Sequence, residues 1–173
     1  MGAAHPCLMR TDRLLLRPTR ETDADRAFAI QSDWAVTRML RMASFPPDEC
    51  AIRRWFADHT REWQAGQAYR FAVELEGRII GVVDLDGGSL GYWFDRSEWG
   101  RGYAYEAACA VVRFGREDAG LVKLRAGHAY DNPASERILS KLGFRSVDVV
   151  PRFSRPRGET IMQHRYVLAF SES

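Results

Sequence analysis

The chain has 173 residues, long enough for one domain to bury a core without disulfide or metal staples. With 46% hydrophobic residues and a formal charge of +2 it reads as a globular protein, and the charge argues against bulk electrostatic binding to nucleic acid while leaving room for a local basic patch. Three cysteines without a C-x-x-C pair suggest neither a disulfide framework nor a metal site, no apolar run approaches the roughly 18 residues of a membrane span, and the start MGAAHPCLM lacks the features of a secretion signal, so a cytoplasmic location is expected.

In chain order, residues 13–17 read as a short strand stopped by Pro18. Thr22 or Asp23 is placed to cap a first helix running to about Gln31. Pro47, Asp48 and Glu49 open a second helix, with Ile52, Trp55, Phe56, His59 and Trp63 at helical spacing and Gly66 as its stop. The period then changes to that of strands over 69–75 and 78–85, joined by the hairpin signal Glu76-Gly77. A strand follows over 90–94, then a helix from Tyr103 to about Asp118, ended by Gly120. A further strand covers 122–129, a short helix runs from Asn132-Pro133 to Leu142, and two last strands over 144–153 and 159–170 flank an Arg-Pro-Arg-Gly turn. The order β-α-α-β-β-β-α-β-α-β-β predicts an α/β fold with a mixed sheet and helices on both faces. The helix between strands 90–94 and 122–129 makes that pair a parallel crossover unit. No linker or repeat divides the chain, so a single domain over 1–173 is expected, its motif-bearing part spanning about 11–170.

The strongest local signal is the junction Trp99-Gly100-Arg101-Gly102-Tyr103-Ala104 between strand and helix. Two glycines let the backbone turn tightly, and a helix N-terminus offers unpaired N–H groups and partial positive charge, which together can cradle a pyrophosphate. The same spacing also serves a plain strand-to-helix connection. It is not a Walker loop, since no Gly-Lys-Ser/Thr follows, and Tyr105 stands where a dinucleotide fingerprint has its third glycine.

A second cluster, Asn132-Pro133-Ala134-Ser135 to Lys141-Leu142-Gly143-Phe144, gives the turn its context. With Thr11-Asp12-Arg13-Leu14-Leu15-Leu16-Arg17-Pro18, Gly91-Tyr92-Trp93 and residues 99–107, it makes four phrases in one order. Together they resemble the GNAT superfamily, specifically its RimJ/RimL-type ribosomal-protein N-terminal acetyltransferases. The resemblance implies the GNAT fold and direct transfer of acetyl from acetyl-CoA to a primary amine, without metal. By it, Trp99, Gly100, Arg101, Gly102, Tyr103 and Ala104 hold the pyrophosphate, and the backbone of Tyr92, Trp93 and Phe94 pairs with the pantetheine arm. A backbone N–H in that stretch polarises the thioester carbonyl. Asn132 holds the pantetheine side and Arg137 approaches a phosphate.

Ser135 is implied as the acid for the departing thiolate. The bland readings of this pair stay open: Asn132 as a helix N-cap and Ser135 as a first-turn residue. The general base departs from the family pattern, since Ser89 stands where many relatives place Glu. Asp84 is the substitute carried forward, with Asp86, His128 and His164 as further titratable groups. Glu106 either complements the helix dipole or orients the cofactor loop. Tyr105 replaces a small residue and either crowds the phosphates or turns outward. Trp34 and Phe45 are the expected acceptor contacts, whereas Trp55 and Trp63 read as core. The acceptor is a protein N-terminus or a small-molecule amine, with a closed acidic pocket expected for a polyamine. A homodimer is expected by family analogy. The competing reading is a degenerate acyl-CoA-binding sensor, kept open by Ser89, and a nucleotide-binding domain is a weaker third.

Overall fold

In the computed structural model, which describes residues 2–171, the expected elements form with two short additions and two 3-10 turns (Glu21–Asp23 and Arg96–Glu98). The first expected strand takes in Pro18, opposite Phe71, as its last residue. A two-residue strand β1 (Met9–Arg10) precedes β2 (Leu15–Pro18), and a one-turn helix α2 (Trp34–Thr37) follows α1 (Ala24–Gln31). Neither is long enough to carry a period. The chain continues through α3 (Glu49–Gln64), β3 (Ala68–Leu75), β4 (Arg78–Asp86), β5 (Ser89–Phe94), α4 (Tyr103–Glu117), β6 (Lys123–Ala129), α5 (Pro133–Lys141), β7 (Arg145–Ser154) and β8 (Glu159–Ala169). The outermost residues of the expected 1–173 domain lie outside the described range.

The caps explain most of these boundaries. Asp48 caps α3 by accepting from Ala51 N at 3.0 Å, and Asn132 caps α5 by accepting from Ser135 N at 3.2 Å. Glu76 and Gly77 both take positive φ, as a two-residue hairpin turn of matching twist requires. Asp23 does not cap α1 with its side chain. Its carboxylate is bound by Arg17 and accepts from Arg20 N, so the chain enters α1 through a 3-10 turn over Glu21–Asp23.

The strands form one eight-stranded sheet in the order β1-β2-β3-β4-β5-β6-β8-β7. All pairs are antiparallel except β5 with β6. Alternation sorts side chains to two faces. Phe71, Val73, Val83 and Leu85 pack under the alanine-rich stripe of α4 with Val111 and Phe114, together with Leu139 of α5. Val82, with partly buried Trp93, faces Ala24 and Ala27 of α1 and Ile52 and Phe56 of α3. Burying a side chain the size of Phe71 or Phe114 contributes about 1.5–3 kcal/mol, so this two-sided core holds β4 and β5 rigidly at the centre of the sheet.

That rigidity matters because β5 and β6 pair only at Ser89–Arg125 and Leu90–Ala126. Beyond Leu90 the two strands separate. Among the described residues no helix is long and apolar enough to cross a membrane, and no group of His, Cys, Asp and Glu is arranged to hold a metal.

Candidate active site

The gap between β5 and β6 joins two surfaces, one on each face of the sheet. Arg125 N donates to Gly88 O, so by strand alternation Leu90, Tyr92 and Phe94 turn their backbone groups toward β6. Leu90 is the last to be paired there. The Phe94 carbonyl is taken by the indole N–H of Trp99 at 3.0 Å, which ties the glycine turn to the end of β5.

On the α4 face, Gly100 and Gly102 adopt φ of +74° and +81°, the left-handed region that side chains disfavour. Among the described residues, the N–H groups of Arg101, Gly102, Tyr103 and Ala104 donate to no protein acceptor. Four adjacent free donors at the start of a 15-residue helix make a ready anion cradle. The side chains of Arg101, in the turn, and Arg137, on α5, are exposed.

This cradle is braced from a distance. Glu106 accepts from Thr11 Oγ1 at 2.6 Å, Arg13 N at 2.8 Å and Arg13 Nε at 2.7 Å, and Arg13 Nη1 donates to the Arg101 carbonyl at 2.8 Å. The Arg13 guanidinium also lies over the Tyr103 ring, 4.4 Å from its centroid. Burial works to raise the Glu106 carboxyl, but the bonds from Thr11 and Arg13 win and hold it below the usual carboxylate range. Glu106 thus braces the glycine turn through Arg13, and it also stands as the acidic residue in the first turn of α4. Tyr105 does not crowd the cradle. Its ring turns outward under the Lys141 ammonium, 4.1 Å from the centroid.

At the gap itself, Tyr92 Oη and the buried Ser135 Oγ are 2.6 Å apart. Burial pushes the Tyr92 phenol up to about 12, with the Ser135 bond pulling the other way. Asn132 spends its side-chain oxygen on the Ser135 N–H, so the capping reading holds and fixes the first turn of α5 under Tyr92.

The opposite face carries a cleft of about 540 Å³, and Asp84 lies in its wall. Asp84 faces Gly91 across the β4–β5 ladder, and a Cβ at Gly91 would sit only 2.9 Å from Asp84 Oδ1. The glycine of the Gly91-Tyr92-Trp93 phrase thus leaves room for the carboxylate. Burial pushes the Asp84 carboxyl up to about 6, against the opposing pull of Arg70. Arg70, itself only 5% exposed, donates to Asp84 at 2.6 Å, Glu62 at 3.0 Å and Asp86 at 3.1 Å. Ser89 also lines the cleft.

Other expected contacts fall elsewhere. Trp34 and Phe45 are not among the cleft's lining residues; they pack on each other at the surface, with ring centroids 4.9 Å apart. Trp55, expected in the core, packs against the cluster of Ile52 and Phe56 and also lines the cleft with its ring under Arg70, while Trp63 is buried and donates to Ala4 O at 2.7 Å. His128 is buried with both ring nitrogens engaged, by Ala129 O and Tyr166 Oη, and stacks on His164. Arg70 was missed in the sequence, although a charged residue between Ala68 and Ala72 at the inward positions of a strand is a readable signal.

The description "Acetyltransferase (GNAT) domain" matches residues 13–145. The chain is 28% identical over 160 residues to the uncharacterized N-acetyltransferase YoaA of Bacillus subtilis, covering 87% of this chain and 90% of the relative. Its fold resembles Mycobacterium smegmatis RimJ in complex with a CoA disulfide (TM-score 0.84, 20% identity, 98% and 90% of the two chains). It also resembles a RimL ribosomal alpha-N-protein acetyltransferase in complex with coenzyme A (TM-score 0.83, 16% identity, 95% and 98%).

Proposed function

Since the chain belongs to the GNAT acetyltransferase family and transfers acetyl from acetyl-CoA to an amine, we propose that the two surfaces joined by the β5–β6 gap are its donor and acceptor sides. The observation that carries this reading is the position of Asp84, on β4 beside Gly91, on one face of the sheet and the Tyr92–Ser135 pair on the other, both next to the gap where β5 leaves β6. The whole chain acts as one domain, in the cytoplasm, without metal.

The fit to acetyl-CoA is supported by the four free N–H groups at Arg101 to Ala104 and by the unpaired edge of β5 beyond Leu90. The cradle takes the pyrophosphate, and the Tyr92 and Phe94 backbone takes the pantetheine amides as an added strand would. The Tyr92 N–H is the donor aimed at the thioester carbonyl. Asp84 accepts the proton of the attacking amine. With its carboxyl raised to about 6 it is ionised at neutral pH, yet more basic than an ordinary aspartate. Ser135 hands a proton to the departing thiolate, and Tyr92 replaces it through their shared hydrogen bond. Tyr92, with its phenol at about 12, recovers that proton from solvent once the thiol has formed, which closes the proton path.

Gly102→Val tests the donor side. A Cβ there meets Arg13 Nη2 at 3.3 Å on a residue of positive φ, so both the turn and its brace are disturbed. Calorimetry should show acetyl-CoA affinity falling by at least about tenfold. Unchanged affinity in a folded variant would remove the pyrophosphate from this turn.

A further inference from the structure

The acceptor cleft is neither acidic nor neutral. Besides Arg70, which is matched by Asp84 and Asp86, it is lined by Arg41, Arg152 and Arg155. Among the described residues none of these three has a carboxylate within ion-pair distance, in a chain where most other cleft and core arginines are paired. The main chain that carries Arg41 and Arg155 is fixed in place. Arg155 N donates to Arg41 O at 2.9 Å, and Arg155 Nη1 reaches Met42 O at 3.4 Å. One turn on, Arg157 donates to Arg38 O and grips Asp131 with both Nη atoms, at 3.0 and 2.8 Å, while Arg38 binds the same carboxylate. The segment after α2 is therefore fastened to the β7–β8 turn, and it roofs the cleft. Under that roof the hydroxyl of Ser154, 1% exposed and lining the cleft, has no hydrogen-bond partner. A buried hydroxyl without a partner costs free energy unless something in the cleft completes it.

We propose that Arg41, Arg152 and Ser154 form an anion subsite, and that the acceptor is a small amine carrying its own carboxylate or phosphate. This deepens the acetyl-transfer reading and rests on it. Fixed positive charge repels polyamines and other polycations from the cleft, while it holds an acceptor by its anionic end and leaves the amine free to face Asp84. Trp55 and Trp93, in the same lining, offer the apolar surface for whatever joins the two charged ends. Transfer then replaces the thioester C–S bond with an amide C–N bond; the amine proton passes to Asp84 and the thiolate gains one from the Ser135 side.

The test pairs amines with and without the anion: L-phenylalanine with L-phenylalaninamide, and O-phosphoethanolamine with ethanolamine. Spermidine and a tripeptide amide with glutamate at its second position complete the panel. Thiol release from acetyl-CoA is followed for the wild type, Arg152→Gln and Ser154→Ala. The anionic member of a pair should show a KM at least about tenfold lower, and Arg152→Gln should erase that advantage with little change in kcat or in the neutral partner. Preference for the neutral members, for spermidine, or for the peptide would overturn the proposal.

A second readout needs no turnover: tryptophan fluorescence titrated with N-acetyl-L-phenylalanine and with its amide. Tighter binding of the acid, lost in Arg152→Gln, supports the subsite even where no amine is acetylated, an outcome that would overturn only the transfer reading. Equal binding of the two ligands would overturn the subsite.

Discussion

Replacing Asp84 with Asn separates the proposed base from the fold around it. The carboxyl is raised from an ordinary 3.8 to about 6, a difference worth about 3 kcal/mol against the ionised form. The sign for activity is fixed by the role: the base works ionised, so its contribution is present above about pH 6 and lost as pH falls through it. At pH 5 about a tenth of Asp84 is ionised, so kcat for the wild type should fall about tenfold below its value near pH 7.5. The amine's own ionisation adds a separate rise at higher pH. In Asp84→Asn the limb near pH 6 should vanish, and kcat at pH 7.5 should drop by about 100-fold or more. The KM for acetyl-CoA should stay within about twofold, because Asp84 faces the acceptor side. The sign for stability runs the other way. A folded-state value raised above the unfolded one stabilises at low pH, and that contribution is lost as pH rises through about 6. Arg70 keeps Glu62 and Asp86 in the variant, so the fold should persist, and its stability should lack this pH-dependent loss. Stopped assays of thiol release from pH 4.5 to 9, beside urea unfolding, read both effects. A limb near pH 6 that survives in the Asn variant, with kcat within about threefold of wild type, would refute Asp84 as the base.

Three further outcomes follow from the same geometry. Glu106→Gln loses the charge behind three short hydrogen bonds, about 1.5–3 kcal/mol, and should raise the KM for acetyl-CoA about tenfold at unchanged kcat, as a positioning residue would. Ser135→Ala and Tyr92→Phe should each lower kcat by about 10- to 100-fold, and the double variant should be little worse than either single one, since the two hydroxyls share one proton path. His59 is held neutral, burial and then Arg70 driving its value down to about 3, so the stability it contributes is present above its ordinary value near 6.5 and lost as pH falls toward 3. Measured by urea unfolding, the stability gap between wild type and His59→Asn should narrow by about 2 kcal/mol between pH 6.5 and pH 5.

Much of this arrangement was legible because it is local. The Glu76-Gly77 hairpin, the Asp48 and Asn132 caps and the alanine stripe of α4 are each written within one element, and the structure returns them nearly unshifted. The family phrases located the glycine turn and Ser135, but not what braces them. Thr11 and Arg13 meet Glu106 across more than 90 positions, a pairing set by tertiary packing that no spacing announces. Trp55 shows a second limit. Helical period puts it on the buried stripe with Phe56 and His59, yet it sits where that stripe meets the cleft, so burial and lining cannot be told apart from sequence. Trp34 and Phe45 show a third: an irregular segment carries no period, so nothing in the spacing announced that the two rings would pack on each other beside the cleft.

Direct transfer of acetyl from acetyl-CoA to an amine at the proposed cleft is read by counting free thiol against acetylated amine by mass spectrometry in the same reaction, with the enzyme's own mass recorded. One thiol should appear per acetylated amine, with no acetyl left on the protein. Tight acetyl-CoA binding with neither product formed, or an acetylated enzyme as the route, would contradict direct transfer.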